Sequence, residues 1–189
     1  MTPKQFDKTT LKLFEPVLRE HGFTTESSRL CTFHRKVSDE IYHLIMPSLG
    51  SRGAWYRVMV FPASPAIDPT FFEYFPDDLG VPSDSWSYLS GQGIGLGTEQ
   101  FSCNSEENFV RRFENTVRNL LTDIAIPYLD QFKQVADMLP IIKQPGFMGL
   151  ALHHVGRVTE ARPILEKERS RLAATGSSER VVTALIERI

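Results

Sequence analysis

Residues 30–63 read LCTFHRKVSDEIYHLIMPSLGSRGAWYRVMVFPA. Three runs in it, 30–37, 40–49 and 54–63, are rich in β-branched, aromatic and aliphatic residues. Ser38-Asp39 separates the first pair and Gly50-Ser51-Arg52-Gly53 the second, and both are turn signals. Short connections of this kind join antiparallel neighbours, so the stretch predicts three antiparallel strands. In the third, Trp55, Arg57, Met59 and Phe61 alternate with Tyr56, Val58 and Val60. Alternate residues point to opposite faces, so both faces of this strand are expected to be at least partly covered.

On the N-terminal side, Phe6, Leu13, Phe14, Val17, Leu18 and His21 recur at helical spacing. Gly22 offers a C-cap, and Pro16 is expected to kink or weaken the helix. On the C-terminal side, 62–97 reads as loop. It carries Pro62, Pro65, Pro69, Pro76 and Pro82 and the alternating Gly91, Gly93, Gly95 and Gly97, with short strands expected around 86–89 and 94–96. The helical period returns after Asn104. Asn104 or Ser105 offers an N-cap, and Glu106 and Glu107 suit the positive end of the helix dipole. Phe109, Phe113, Val117, Leu120, Leu121 and Ile124 form one apolar stripe. Pro127 is expected to break or kink the helix. Leu129, Phe132, Val135, Ala136 and Leu139 continue a second stripe.

Residues 140–146 read as a linker. Beyond it, short helices are expected over 147–155, 159–174 and 178–189. The run from Gly149 to Arg157, followed by Glu160-Ala161, resembles one helix–turn–helix unit of a tetratricopeptide-like repeat. A solenoid needs about three copies, so this is read as a hairpin docked on the main domain. The expected fold is α+β: an antiparallel sheet of about four to six strands with helices packed on one face, plus a C-terminal helical hairpin. The expected division is a core domain over 1–144 and a helical appendage over 145–189.

Composition narrows the function classes. The 189 residues are 41% hydrophobic and 23% charged with a net charge of −2, which fits one ordinary globular domain and not a basic nucleic-acid binder. Cys31 and Cys103 make no disulfide framework and have no zinc spacing, so both are expected as free, buried thiols. The first 14 residues carry no apolar signal core, and no run of 18 apolar residues spans a membrane. A cytoplasmic location, with no membrane partner, is the expectation.

No catalytic or cofactor motif emerges. GxGxxG would need glycine at Leu96 or Thr98, and no Lys-Ser or Lys-Thr follows for a phosphate loop. Alternating glycines are better read as a place where another backbone or a bulky ring packs closely. Cys31 and His34, three apart on a strand, would face opposite ways. His153 and His154 are adjacent on a helix, about 100° apart, and poorly placed to share a metal. No metal, cofactor or nucleic acid is expected.

The acids are distributed unevenly. From Val58 to Val110 there is no Lys or Arg, but there are Asp68, Glu73, Asp77, Asp78, Asp84, Glu99, Glu106 and Glu107, a formal −8 that leaves +6 on the rest of the chain. The same 53 residues hold Phe61, Phe71, Phe72, Tyr74, Phe75, Trp86, Tyr88, Phe101 and Phe109. One reading is a solvated acidic loop whose rings belong to the core, above all Phe61, Phe101 and Phe109. The other is an acidic, aromatic surface that meets a basic partner. On the second reading the partner-binding residues are Asp68, Glu73, Tyr74, Asp77, Asp78, Asp84, Trp86 and Tyr88.

The order of features bears on that choice. A helix ends in Leu18-Arg19-Glu20-His21-Gly22-Phe23. Strands come next with Phe33-His34-Arg35, Ile41-Tyr42-His43-Leu44-Ile45-Met46 and Tyr56-Arg57-Val58-Met59-Val60-Phe61, before a loop and a closing helix. Across residues 6–140 this resembles small bacterial α+β domains of unknown function related to immunity proteins of polymorphic and type VI secreted toxins. The resemblance implies a non-enzymatic protein that binds one toxin and neutralises it, and it carries over no catalytic residue. A protector that stays inside guards an intracellular target, which points to a nuclease. A nuclease must be basic to hold phosphates, and an acidic binder complements it. Two other classes remain open: an effector chaperone or adaptor using the helical hairpin, and an enzyme whose residues converge only in three dimensions.

Overall fold

The computed structural model describes residues 1–25, 31–64, 66–67, 92–177 and 179–188. Helix α1 spans Pro3–Glu20 and starts in a capping box, with the Thr2 hydroxyl accepting from the Gln5 amide and the Gln5 side chain accepting in return. Pro16 lies inside α1 without ending it. The chain reverses at Gly22, whose φ of +80° is open to glycine at little cost.

The predicted strands are β1 (Phe33–Lys36), β2 (Tyr42–Leu49) and β3 (Trp55–Ala63). They pair antiparallel, with Phe33 opposite Ile45 and Ile45 opposite Val60. The open edge of β3 is closed by two two-residue strands: β4 (Gln92–Gly93) beside Met59 and Val60, and β5 (Phe101–Ser102) beside Trp55 and Tyr56. The strand expected over 54–63 is present, with Pro62 and Ala63 in β3 rather than in the loop read from 62. One expectation needs correcting here: the strand expected at 94–96 lies earlier, because Gly93 to Gly97 closes a tight turn in which the Leu96 amide donates to the Gly93 carbonyl.

The long helix α2 covers 106–129. It begins at Glu106 behind a Ser105 N-cap and passes through two wider π turns, Phe113–Val117 and Leu121–Ala125, before ending at Leu129. Its buried residues include Phe109, Phe113, Val117, Leu121, Ala125 and Leu129, each four after the last. In a regular α-helix, four residues advance about 40° beyond a full turn, so such a stripe would walk about 200° round the axis by its end. The π turns, with i→i+5 hydrogen bonds, absorb that drift and keep the stripe on the sheet. Leu120 and Ile124, expected in the stripe, are only partly buried. Pro127 follows the second π turn and neither breaks the helix nor ends it at once.

Helices α1 and α2 cover one sheet face. Phe6, Phe14, Phe33, Ile45, Tyr56, Val58, Phe109 and Phe113 form one apolar cluster, with the Phe14 and Phe113 ring centres 4.7 Å apart. Leu44, Phe61 and Ala63 are buried on the opposite face. After α2 come α3 (Val135–Met138), a 3-10 turn (Leu139–Ile141), α4 (Pro145–His154), α5 (Val158–Ala174) and α6 (Arg180–Arg188). The expected C-terminal hairpin is α4–α5. Its helices approach closely because residue 149 is glycine: a Cβ there would overlap the Leu165 side chain. A second apolar cluster joins this hairpin to Ile41, Ile67, Phe132, Val135, Met138 and Ile142, so packing crosses the expected boundary at 144.

Candidate functional site

All eight residues assigned to the partner-binding surface, Asp68, Glu73, Tyr74, Asp77, Asp78, Asp84, Trp86 and Tyr88, lie outside the described residues. Both ends of that segment are firmly placed. On the N-terminal side Ser64 and Ile67 are fully buried, and the Ile67 amide donates to the Ser64 carbonyl. On the C-terminal side β4 pairs with β3, and the Ile94 amide donates to the Val58 carbonyl at 2.9 Å. The acidic, aromatic segment is therefore inserted between two adjacent strands of one sheet.

Three acids of the same stretch are described. The Glu99 carboxylate turns onto the glycine loop, accepts from the Gly95 amide at 3.3 Å and would lie 2.5 Å from a Cβ at position 93. The same Cβ would overlap the Gly97 carbonyl oxygen, which is the close backbone approach expected of these glycines. The chain's own carboxylate thus occupies the backbone hollow that a phosphate would need. Glu106 accepts from the Thr9 hydroxyl at 3.4 Å, and Glu107 is exposed. Phe61, Phe101 and Phe109 are core residues.

Two polar centres escaped the sequence reading. The first lies in a cavity of about 670 Å³ between the start of α1, residues 31–32, the second half of β2 and the turn after it. There the buried Cys31 thiol donates to the Asp7 carbonyl at 3.2 Å and stands 3.8 Å from its carboxylate. Burial first, and the Asp7 charge second, push Cys31 up to about 12. Burial also raises Asp7, against the opposing pull of the thiol contact. A thiol held protonated at neutral pH is no nucleophile, and His34 turns instead to the Thr24 hydroxyl at 3.1 Å.

The second centre joins the sheet to the chain beyond α2. Arg35 reaches the His21 carbonyl at 2.9 Å, His43 Nδ1 at 2.9 Å and the Asp130 carboxylate, with its guanidinium 4.5 Å from the Phe23 ring centre. His43 Nε2 is 2.7 Å from the Phe132 carbonyl. A carbonyl on one side and a guanidinium on the other require a neutral ring protonated on Nε2. Burial, the largest cause, lowers His43 to about 4. Beside it, Glu40 accepts from the Val135 amide at 3.2 Å and pairs with His154 of α4 at 3.1 Å. These partners lie 89 to 114 residues apart, and no local sequence signal joins them.

Among the described residues no cluster of His, Cys, Asp and Glu is placed to hold a metal ion, and no helix is long and apolar enough to cross a membrane. Comparison with known proteins finds no matching family model, no matching curated protein and no matching solved structure.

Proposed function

We propose that the chain is a non-enzymatic immunity protein that binds and neutralises a cognate toxin acting in the cytoplasm, a basic nuclease, through an acidic surface bearing aromatic anchors. The observation that carries this reading is the charge segregation: eight acids and no Lys or Arg over Val58 to Val110. The placement of the segment supports it. Loops held on a rigid sheet commonly carry function, and this one is pinned at Ile67 and at Gln92–Gly93. Opposite charge speeds encounter and fixes register, while buried rings supply most of the binding energy.

The deciding experiment is co-expression with candidate secreted nucleases of the source genome, scored for survival. Rescue by the wild type, lost on reversing Asp77 and Asp78 to lysine in a protein that still folds, is the expected result. Trp86→Ala is expected to raise the off-rate of the complex. An association rate indifferent to both salt and the charge reversal would move the interface elsewhere, first to the α4–α5 hairpin. The α4–α5 hairpin is the element that an effector-chaperone reading would use. A chaperone would be needed for toxin export rather than for survival of the producer, so the two readings separate in the same strain.

A further inference from the structure

Among the described residues three large apolar side chains are exposed, Val37, Leu96 and Val158, and Leu96 is the most exposed at 44%. Its backbone is also left-handed, with φ of +64°, a region that among the described non-glycine residues holds only Leu96 and Arg52. There an L side chain crowds the following carbonyl, and a bulky apolar residue is a clear outlier. Leu96 sits in the turn that follows β4. Its amide donates to the Gly93 carbonyl at 2.7 Å, and the Gly93 amide donates to the Gly97 carbonyl at 2.9 Å. A tight turn followed by one left-handed residue ordinarily takes glycine at that last position. Here glycine stands at 95 and 97, and leucine stands between them.

The turn does not need this side chain to hold its shape. Its core contact is made by Ile94, which is fully buried and whose amide donates to the Val58 carbonyl. The Glu99 carboxylate braces it from within, accepting from the Gly95 amide and standing where a Cβ on residue 93, 95 or 97 would go. No apolar cluster of the described residues includes Leu96. The result is a rigid loop that presents one apolar side chain to solvent from a strained backbone. Departures of this kind from local preference gather at functional sites. An aliphatic knob that is already held in place also loses little freedom on entering a pocket.

The setting of the knob indicates what it fits. Leu96 belongs to the stretch from Val58 to Val110 that carries eight acids and no Lys or Arg, and β4 joins it to the end of the acidic, aromatic segment. We propose that Leu96 is an apolar anchor of the toxin interface, seated in an apolar socket of the basic partner beside the cations that the acids attract. This rests on the immunity reading and adds to it an anchor outside Asp68 to Tyr88. The acids govern the rate of encounter, and Leu96 governs the lifetime of the complex.

The test uses the full chain and the nuclease against which the wild type protects, inactivated at its catalytic centre. Leu96→Gly and Leu96→Asn both suit a left-handed backbone. Both should melt no lower than the wild type and bind the nuclease about 30-fold more weakly, as the loss of one anchor implies. The loss should fall on the off-rate and be equal at low and high salt, as an apolar contact requires. Leu96→Met should bind about as well as the wild type. The proposal alone is overturned if the wild type protects and both variants dissociate as slowly as it does, or if Leu96→Gly melts several degrees lower, which marks a packing residue. It is also overturned if sedimentation of the chain alone shows a dimer that Leu96→Gly dissociates, which marks a contact between copies. If the wild type protects against no nuclease, the immunity reading falls and this anchor falls with it.

Discussion

Helices α2 and α5, one in the body and one in the appendage, are anchored by different means. The buried stripe of α2 includes Phe109, Phe113, Val117, Leu121, Ala125 and Leu129, and its rings stack on those of α1. The buried positions of α5 are Ala161, Leu165 and Glu168, and most of its other side chains are exposed. Glu168 is only 3% exposed yet is gripped by Arg171, whose side chain is 59% exposed, through two hydrogen bonds of 2.7 Å. The body is thus held by aromatic packing. The appendage is held by one close helix pair, an apolar cluster shared with Ile41, Val135 and Met138, and the Glu40–His154 pair, with a thinly covered ion pair inside α5. Packing of the first kind resists local change poorly but pH well, and the second kind does the opposite.

The hardest test of that contrast is Phe113→Ala. It removes a ring packed on Phe14 and should cost about 3–5 kcal/mol, a large share of an ordinary domain's stability. The whole body should unfold at lower denaturant, with ring and backbone signals falling together. Ending the chain after Gln144 should cost less, about 2–3 kcal/mol, or roughly 5–10 °C in melting point. It uncovers Val135, Met138 and Ile142 and removes the His154 partner of Glu40. The shortened chain should still melt cooperatively, and a lost transition would merge the two regions into one folding unit.

Acid should separate the regions more gently. His43 resists protonation down to about 4, whereas an unfolded histidine charges near 6.5. Its contribution is complete above the unfolded value and is lost as pH falls from about 6.5 to about 4. Glu40 is held below the usual carboxylate range, first by His154 and then by the Val135 amide. Its contribution therefore stands above the ordinary carboxylate pKa and goes as pH falls through the lowered one. Amide exchange at α3 and α4 should rise with acid before that at Tyr56 and Val58 does. Equal acceleration in both places would show that the seam is not the weak point. The smallest effect is expected from Glu168→Met. Replacing a buried ion pair with an apolar side chain is often neutral or stabilising, and the thin cover limits the gain to about 1 kcal/mol. A melting point lowered by more than a few degrees would mean that the carboxylate holds something Arg171 does not account for.

The strands, their antiparallel order and the helix starts were legible because each is written in neighbouring residues. Alternation gives β2 and β3, and Ser105 followed by two acids gives the start of α2. Three things were not legible. Gln92–Gly93 and Phe101–Ser102 are too short to show a period, and their strand character comes wholly from lying beside β3. The α2 stripe reads as ordinary because a four-residue spacing looks helical over one or two turns and drifts only over five. The centres at Cys31–Asp7 and Arg35–His43–Asp130 include residues separated by 24 and by 95 positions, which only the folded chain brings together. The acidic character of the candidate surface, by contrast, is a property of composition and needs no structure to be seen.

The two π turns of α2 also bear on how the chain tolerates change in length. A π turn holds one residue more than the α turn it replaces. Deleting one residue within Phe113–Val117 or within Leu121–Ala125 would restore a regular α turn and leave the flanking stripes close to their present orientation, whereas deleting one from the regular turns Glu106–Arg112 would rotate the parts on either side by about 100° relative to each other. The frame that positions Asp130 and Phe132 against Arg35 and His43 is therefore set by a residue count in the middle of the preceding helix. For this protein, single-residue deletions in α2 are of two kinds: one inside a π turn is absorbed, and one in a regular turn is a frameshift of the core that leaves composition and charge almost untouched and misaligns the seam.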